Sequence, residues 1–366
     1  AAFAPTLGKS LVDAGISYQS IGPTRYKTVT GSEVRTEQPQ TTASEANAVA
    51  DAAGTRSTGL AADSQLNDFT PDEGDANAWG LAAVGALEAQ QVDVPLANVT
   101  VGVMDTGIDP DHKDLKEHLD ASRSVGCQIN GIPSQNPADW KDDHYHGTHV
   151  AGTIAAAHNA YGVDGVAPSA TIVAIKTSNE AGSFYPEYVA CAFDWAAEHD
   201  IDVTNSSYYM DPYAFWMPTE GSQAAGLEAA SRAIRYAKNH GVVNIAAEGN
   251  DNDDHDNPTI DKASPNDVEG AAVERNVAGG IDVPAMLNDS VVSVSAVALP
   301  TGTDPATAKL ERSKFSNYGK NSVDVAAPGS RIWSTLPTWK KDPPFGYLSG
   351  TSMASPHAAG VAALIK

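Results

Sequence analysis

The sequence predicts an α/β fold of three layers, with a mostly parallel central sheet covered by helices on both faces. From Trp79 onward, short β-branched runs alternate with helical stretches, and this alternation is typical of parallel sheets. The apolar runs that predict buried strands are 99–104, 171–176, 201–205, 242–247 and 291–297. Reactive groups in such sheets gather beyond the carboxyl ends of the strands, so we expect functional residues there.

Two helices between these strands can be bounded from the sequence. Pro186 suits the first turn of a helix, and the helix that it starts is predicted to reach His199. Residues 223–239 place apolar side chains on one helical face, and Gly241 follows as a stop signal. Such helices between parallel strands cover the faces of the sheet.

The chain of 366 residues is strongly acidic, with 23 Lys and Arg against 46 Asp and Glu and a formal net charge of −23. This charge disfavours nucleic acids and anionic membranes as partners, because they are themselves negatively charged. It supplies carboxylates for hard cations such as calcium, and it is also what a salt-adapted surface would show. No run of about 18 apolar residues occurs, so no membrane-spanning helix is predicted.

The N-terminal part differs in composition from the rest. Residues 1–36 are interpreted as a separate N-terminal segment, and residues 37–70, rich in small and polar residues, as a linker or weakly ordered arm. The main domain is predicted over 71–366. The chain begins with Ala1 rather than Met, which fits a removed signal peptide and an artificial start equally well.

Asp105 directly follows the first predicted strand, in the tripeptide Asp-Thr-Gly. A carboxylate there lies at the carboxyl edge of the sheet, although a lone Asp-Thr-Gly is commonly a turn in which Asp caps local amides. The tripeptide also marks aspartic proteases, which need two such carboxylates. The chain has no second Asp-Thr-Gly or Asp-Ser-Gly, so it could work that way only as a dimer.

His146 lies in the stretch His-Tyr-His-Gly-Thr-His over residues 144–149, and the small residues that follow suit a tightly packed helix. The spacing also resembles the ligand run of zinc hydrolases, with His144 and His149 as the other ligands. That run usually has Asp before its last histidine, where this chain has Thr148. No further ligand cluster in the sequence completes a zinc site.

Ser352 lies in the string Ser-Gly-Thr-Ser-Met-Ala-Ser-Pro-His, before a small-residue apolar helix predicted over 358–365. Ser and Thr commonly cap helices, but a cap does not need the whole string. The N–H of a serine at a helix N-terminus can stabilise an oxyanion. Asn250 follows the strand 242–247. A lone Gly-Asn is usually a turn, but beside the other segments Asn250 is interpreted as a second oxyanion donor.

Together these four segments resemble the subtilisin family, the subtilases. The Asp-Thr-Gly strand end, His-Gly-Thr-His-Val-Ala-Gly, the Gly-Asn after a strand and Gly-Thr-Ser-Met-Ala-Ser-Pro-His occur in the family's order Asp, His, Asn, Ser, over about residues 75–366. This order separates subtilases from other folds with a serine triad. The related Ser-Glu-Asp peptidases share a similar serine segment but lack His-Gly-Thr-His.

The resemblance implies a secreted, bacterial-type serine endopeptidase with a subtilisin-like fold and polypeptide substrates. Ser352 would attack the peptide carbonyl, His146 would carry the proton, and Asp105 would orient His146. Asn250 and the Ser352 amide would bind the oxyanion, without a catalytic metal. We expect an extracellular monomer. Residues 1–70 stand where family members carry an inhibitory prodomain, but they match none clearly.

The family binds an extended peptide between two edge strands. The segments that match these strands are Gly182, Ser183, Phe184 and Ser207, Tyr208, Tyr209. Phe184 and Tyr209 stand where the family favours glycine, and Tyr209 is expected to narrow or cap a pocket entrance. Glu248 and Gly249 match the wall of the pocket for the residue before the scissile bond. A Glu248 carboxylate pointing inward would favour Lys or Arg, whereas one pointing outward would be a solvated charge.

The family's strongest calcium site joins an acidic residue shortly after the catalytic Asp to the loop after the His helix. The matching ligands are the side chains of Asp114 and Asn159 and the backbone carbonyls of Ala157, Tyr161 and Val163. Oxygen-only ligands suit calcium rather than zinc, although Asn in a loop also makes turns. The two cysteines leave open one bridge or two buried thiols, but secretion would favour a Cys127–Cys191 disulfide.

The sequence departs from the family in two further places. The stretch between Asn250 and Ser352 is long and holds an acidic run over 251–257, for which a solvated loop is favoured over a cation site. The chain ends at Lys366, soon after Ser352, so truncation at the C-terminus is expected. Two other functions stay open: an inactive subtilase that serves as a binding module, and a metal-dependent hydrolase built on the three histidines.

Overall fold

The computed structural model describes residues 78–90, 98–268, 270–305 and 307–366. The interpretations of residues 1–36 and 37–70 therefore lie outside the described residues, as does the start of the predicted main domain at residue 71. Within these ranges, no helix combines the length and the apolarity needed to cross a bilayer.

The strands within these ranges form one large sheet and two small ones. In chain order the strands are β1 (Thr100–Asp105), β2 (Val125–Gly126), β3 (Thr171–Lys176), β4 (Val203–Ser206), β5 (Val243–Ala247), β6 (Ile260–Asp261), β7 (Arg275–Asn276), β8 (Val292–Ala298), β9 (Glu311–Arg312), β10 (Val325–Pro328), β11 (Ile332–Thr335) and β12 (Phe345–Leu348). The large sheet has the order β10-β8-β5-β4-β1-β3-β2, and β9 pairs with β8. Its pairings are parallel except for β8 with β9. The mostly parallel central sheet is thus confirmed.

Helices cover both faces of this sheet. In chain order they are α1 (Trp79–Ala83), α2 (Ala86–Ala89), α3 (Pro137–Trp140), α4 (His146–Ala155), α5 (Pro186–Glu198), α6 (Gly221–Asn239) and α7 (Thr351–Ile365). The two helices bounded from the sequence are α5 and α6, and α6 begins two residues earlier than predicted. Helices α5 and α6 pack together, as do α4 and α7. The three-layer α/β/α architecture predicted from the sequence is therefore confirmed.

The core lies in two layers, one on each side of the sheet. Val101 and Val103 of β1 are fully buried in the layer that holds Met353 of α7, whereas Met104 is buried in the layer that holds Phe193 of α5. Successive side chains of a strand point to opposite faces, so a strand covered on both sides buries all of them. This is why the strand predictions came from continuous apolar runs rather than alternating ones.

A disulfide joins Cys127, just after β2, to Cys191 in α5, with a Cα–Cα distance of 5.8 Å. The predicted pairing is confirmed. It connects the edge of the sheet to the helical layer, and both cysteines are buried there.

The carboxyl ends of three neighbouring strands meet at one edge of the sheet. Strand β4 pairs in parallel with both β1 and β5, so Asp105 at the end of β1 lies close to the residues that follow β4 and β5. Ser207 follows β4, and Asn250 follows β5. The residues singled out by the sequence therefore gather where a parallel sheet places its functional groups.

Candidate active site

His146 and Asp105 form a buried hydrogen-bonded pair. His146 Nδ1 lies 2.8 Å from Asp105 Oδ1 and 3.0 Å from Oδ2. Burial lowers the pKa of His146, but the Asp105 carboxylate outweighs it and holds that pKa above its ordinary value. With its Nδ1–H donated to Asp105, the neutral ring presents Nε2 as an acceptor. This Nε2 is buried and has no hydrogen-bond partner among the described residues.

Asp142 anchors the start of the helix that carries His146. Its Oδ1 accepts hydrogen bonds from the Thr106 hydroxyl and the Tyr145 N–H, each at 2.9 Å. Its Oδ2 accepts one from the Thr148 N–H at 3.1 Å. These bonds satisfy N–H groups that the first turn of a helix leaves without helical partners. Asp142 was not predicted from the sequence. The feature that could have identified it is a carboxylate four residues before His146, at a predicted helix start.

Ser352 is the second residue of α7 and is bound to the segment after β4. Its hydroxyl donates to the Ser207 carbonyl oxygen at 3.1 Å, and the Ser207 hydroxyl donates to the Ser352 carbonyl oxygen at 2.9 Å. Since β4 is the neighbour of β1, this pair of bonds brings the start of α7 to the edge at which Asp105 lies. The Ser352 N–H stands in the first turn of α7, at the positive end of the helix dipole.

Asn250 is held by Thr351, the residue before Ser352. Asn250 Oδ1 accepts hydrogen bonds from the Thr351 N–H at 2.8 Å and from its hydroxyl at 3.0 Å. The two bonds to Oδ1 fix the orientation of the amide, and Nδ2 is the donor of this side chain. Nδ2 is buried and has no partner among the described residues. A buried donor of this kind beside Ser352 has the chemistry of an oxyanion site.

Thr351 had no role of its own in the sequence reasoning, although it belongs to the quoted string. Its hydroxyl also accepts a hydrogen bond from the Gly249 N–H at 3.0 Å. One side chain therefore connects the loop after β5 to the start of α7. The sequence feature that could have identified Thr351 is its position directly before Ser352.

Phe184, predicted to bind substrate as part of an edge strand, is engaged within the protein. Its ring is fully buried and stacks on Tyr208, with centroids 4.2 Å apart and planes 7° from parallel. Its N–H donates to Asp211 Oδ2 at 2.6 Å, and its carbonyl accepts from the Asp211 N–H at 2.8 Å. The neighbouring N–H groups of Gly182 and Ser183 both donate to Asn179.

Tyr209 lies under the long stretch that separates Asn250 from Ser352. Its side chain is mostly buried, and its hydroxyl accepts a hydrogen bond from Asn266 Nδ2 at 2.5 Å. Asn266 Nδ2 also lies 2.6 Å from Asp211 Oδ1. The extra length that the sequence showed as a departure therefore packs against the second predicted substrate segment.

Glu248 is fully buried, so the alternative of a solvated surface charge is wrong. Its Oε1 accepts a hydrogen bond from His255 Nδ1 at 2.8 Å, and both side chains are 0% exposed. Burial raises the pKa of Glu248, and the bond to His255 opposes this rise. The carboxylate that would favour Lys or Arg if it pointed inward is thus already paired with His255. The neighbouring Gly249 has a φ of +100°, which favours glycine.

The residues predicted to bind calcium lie together at the end of α4. Asp114 is buried, and its carboxylate accepts hydrogen bonds from Asn159 Nδ2 and from the Val163 N–H, each at 3.2 Å. Among the described residues, no backbone N–H group donates to the carbonyl oxygens of Ala157, Tyr161 and Val163. A carboxylate, an amide and carbonyl oxygens within one loop fit the donor set of calcium.

The three histidines of 144–149 do not converge on one point. His149 Nε2 lies 3.1 Å from the carbonyl oxygens of Ile332 and Gly346, and burial lowers its pKa to about 3. The His144 ring stacks on Tyr145 instead. In the part of the chain that the structure describes, no three His, Cys, Asp or Glu side chains are grouped as metal ligands.

Comparison with known proteins shows extensive similarity. The family model of the Subtilase family matches residues 97–366. Subtilisin DY of Bacillus licheniformis is 34% identical over 287 residues, which cover 78% of this chain and 83% of that protein. Subtilisin NAT of Bacillus subtilis subsp. natto is 34% identical over 288 residues, and the aligned part spans 60% of its length.

Two solved structures share the fold. The S41 psychrophilic protease aligns with a TM-score of 0.54 and 27% identity, over 78% of this chain and 82% of that one. The epidermin leader peptide processing serine protease of Staphylococcus aureus aligns with a TM-score of 0.60 and 25% identity, over 83% and 74% of the two chains.

Proposed function

The chain belongs to the subtilase family and is a subtilisin-like serine endopeptidase, and on this premise we propose that Ser352, His146 and Asp105 carry out the reaction. The observation that carries the assignment is the buried His146–Asp105 pair, which leaves His146 Nε2 as an acceptor. The position of Ser352 also supports the assignment, because this residue lies in the first turn of α7 at the same edge of the sheet. The order of the three residues along the chain also agrees with subtilases.

In the proposed reaction the Ser352 hydroxyl rotates from the Ser207 carbonyl towards His146 Nε2. The oxygen forms a bond to the peptide carbonyl carbon while its proton passes to Nε2. His146 then gives this proton to the leaving amine as the peptide C–N bond breaks. Water then attacks the carbonyl carbon of the acyl-enzyme and gives a proton to His146, which passes it to the Ser352 oxygen as the ester bond breaks. Asp105 holds the tautomer of His146 and stabilises its charged form.

Asn250 Nδ2 and the Ser352 N–H would bind the oxygen that becomes negative during attack. The support is that Thr351 occupies Asn250 Oδ1 and so leaves Nδ2 as a donor of fixed orientation. Loss of one such donor costs about 100- to 1,000-fold in kcat, a magnitude measured on subtilisin itself rather than derived from this chain.

A fluorophosphonate label tests this proposal, because it bonds to an activated serine hydroxyl. We expect the wild type to be labelled at Ser352 and Ser352→Ala to be unlabelled and inactive. Ser349→Ala is the matched control, since Ser349 lies in the same string and its hydroxyl accepts a bond from the Arg331 N–H. Peptidase activity in folded Ser352→Ala would contradict the assignment. An unlabelled and inactive wild type would favour the binding module, and unlabelled but chelator-sensitive activity would favour the metal hydrolase.

The Cys127–Cys191 disulfide supports action outside the cell, where disulfides form and persist. The proposed substrates are therefore extracellular polypeptides. Mass spectrometry of the intact protein purified from culture medium, without reductant, tests both points, since it shows whether the chain is exported and whether the bridge is closed.

We also propose a structural calcium ion held by Asp114, Asn159 and the carbonyls of the loop 157–163. The donor chemistry described above supports this assignment. The ion would stabilise the loop that follows the helix of His146, and no step of the proposed reaction uses it.

A further inference from the structure

Asn317 binds the loop 248–253 through its backbone N–H and both polar atoms of its side chain, and Asn250 lies in the middle of this loop. Its N–H donates to the Gly249 carbonyl at 2.9 Å, and its Nδ2 donates to the Glu248 carbonyl at 3.0 Å. Its Oδ1 accepts from the N–H groups of the first and third residues after Asn250, at 2.8 and 2.9 Å. Asn317 is 1% exposed, so water cannot replace these bonds.

Gly249 makes this close approach possible. A Cβ atom at this position would lie 2.4 Å from Asn317 Nδ2, far closer than van der Waals contact. With a φ of +100°, the Gly249 backbone also adopts a conformation that side chains disfavour. The backbone on the N-terminal side of Asn250 is therefore shaped to receive the Asn317 amide.

His255 and Glu248 in turn fix the Asn317 side chain. Because Asn317 Oδ1 accepts two N–H groups, its Nδ2 must face His255 Nε2, which lies 3.0 Å away. His255 Nε2 therefore accepts, and its proton is on Nδ1, which donates to Glu248 Oε1. Asp282 Oδ2 lies 3.9 Å from His255 Nε2, and the Phe215 ring packs edge-on against the imidazole.

We propose that Glu248, His255 and Asn317 are positioning residues that hold the backbone of Asn250 in place for oxyanion binding. Thr351 fixes the side chain of Asn250, and Asn317 fixes the backbone on either side of it. None of the three touches the reacting atoms, so their effect on the reaction passes through Asn250. The inference rests on the proposed function, because it requires Asn250 to be the oxyanion donor.

A double-mutant cycle tests this chain of contacts. We expect Asn317→Ala to lower kcat for a peptide p-nitroanilide by about 10- to 100-fold, because a small displacement of a catalytic donor is costly. KM should change by about twofold or less, since ground-state binding does not use the oxyanion donor. In an Asn250→Ala background the same substitution should have almost no further effect. Losses that multiply in the double variant would overturn the inference.

His255 variants keep the test decisive if Asn317→Ala does not fold. Gln at position 255 can still accept from Asn317 and donate to Glu248, whereas Phe keeps a ring of similar shape without either bond. We expect His255→Gln to retain kcat within about threefold and His255→Phe to lose about as much as Asn317→Ala. Equal kcat values for the two His255 variants, at matched thermal midpoints, would overturn the inference.

The same measurements separate this inference from the proposed function. If Asn250→Ala leaves kcat unchanged, the oxyanion assignment of Asn250 is wrong and the inference falls with it. If Asn250→Ala lowers kcat but Asn317→Ala multiplies the loss, only the inference is wrong.

Discussion

Phe184 and Asp211 are joined by two hydrogen bonds that occupy both backbone polar groups of Phe184. The Phe184 N–H donates to Asp211 Oδ2 at 2.6 Å, and the Phe184 carbonyl accepts from the Asp211 N–H at 2.8 Å. A peptide that adds to an edge strand needs the N–H and carbonyl groups of that strand. Phe184 is therefore not expected to pair with a substrate strand.

Asp211→Ala should release the Phe184 N–H for a longer substrate. We expect wild-type kcat/KM to stop rising once a peptide extends as far as Phe184, and the variant to show a further rise of about 2- to 10-fold, the effect of one added hydrogen bond. Kinetics on peptides lengthened one residue at a time provide the measurement. Asp267→Ala is the control, since the Asp267 carboxylate accepts a hydrogen bond from the Tyr185 hydroxyl rather than from the Phe184 N–H. The same rise in the wild type would show that Phe184 already pairs with substrate.

Asp105→Asn should lower activity and move its pH dependence. The neutral form of His146 acts as the base, and Asp105 raises its pKa, so wild-type kcat/KM falls as the pH drops through this raised value. Without the carboxylate, burial dominates and lowers the pKa, so the acid limb should move to lower pH. The plateau should fall by about 10,000-fold, as expected when the tautomer is wrong. An unmoved acid limb in the pH–rate profile would mean that another group controls it.

The His146–Asp105 pair also makes the free energy of unfolding depend on pH. Because the folded-state pKa of His146 is raised above the ordinary value of about 6.5, the pair stabilises the fold fully below that pH. This contribution is lost as the pH rises through the raised value. Urea unfolding of wild type and Asp105→Asn at several pH values should show the smallest difference at the alkaline end.

Glu248→Gln should leave the preference for the residue before the scissile bond unchanged. The Glu248 carboxylate is buried and accepts a bond from His255, and a Gln oxygen can accept the same bond. A peptide-library cleavage profile of the two proteins provides the comparison. If a preference for Lys or Arg is present in the wild type and disappears in the variant, Glu248 reaches the substrate after all.

Calcium removal should lower thermal stability. We expect EGTA to reduce the thermal midpoint of the wild type, because an ion bound only by the folded state stabilises it. Asp114→Asn should melt at a lower temperature and respond less to calcium, since the buried carboxylate of this site is lost. Identical midpoints with and without EGTA in the wild type would count against the site.

Removal of the disulfide should lower the free energy of unfolding by about 4 kcal/mol in the chain-entropy model. The bridge joins residues 64 positions apart, and a loop of this length restricts the unfolded chain strongly. Urea denaturation of Cys127→Ser/Cys191→Ser beside the wild type measures the difference, and reduced wild type should match the variant. Equal unfolding midpoints in all three samples would contradict the prediction.

Strands β1, β3, β4, β5 and β8 and helices α5 and α6 could be predicted from the sequence, and the sequence also named the residues of the candidate active site. The strands depend on continuous apolar runs, whereas the roles of Asp105 and Ser352 depend on the resemblance of four ordered segments to subtilases. Parallel strands bring their carboxyl ends to one edge whatever connects them, so local patterns sufficed to predict where these residues gather.

The direction of the Glu248 side chain and the pairing of the Phe184 backbone with Asp211 are visible only in the structure. Strand alternation says that neighbouring side chains point to opposite faces, but it does not say which face holds a partner. The partner of Glu248 is His255, which also accepts a hydrogen bond from Asn317, and Phe184 is held by Asp211. These partners stand 7 to 62 residues apart in the chain, and they meet only because particular loops pack together, which local patterns do not specify.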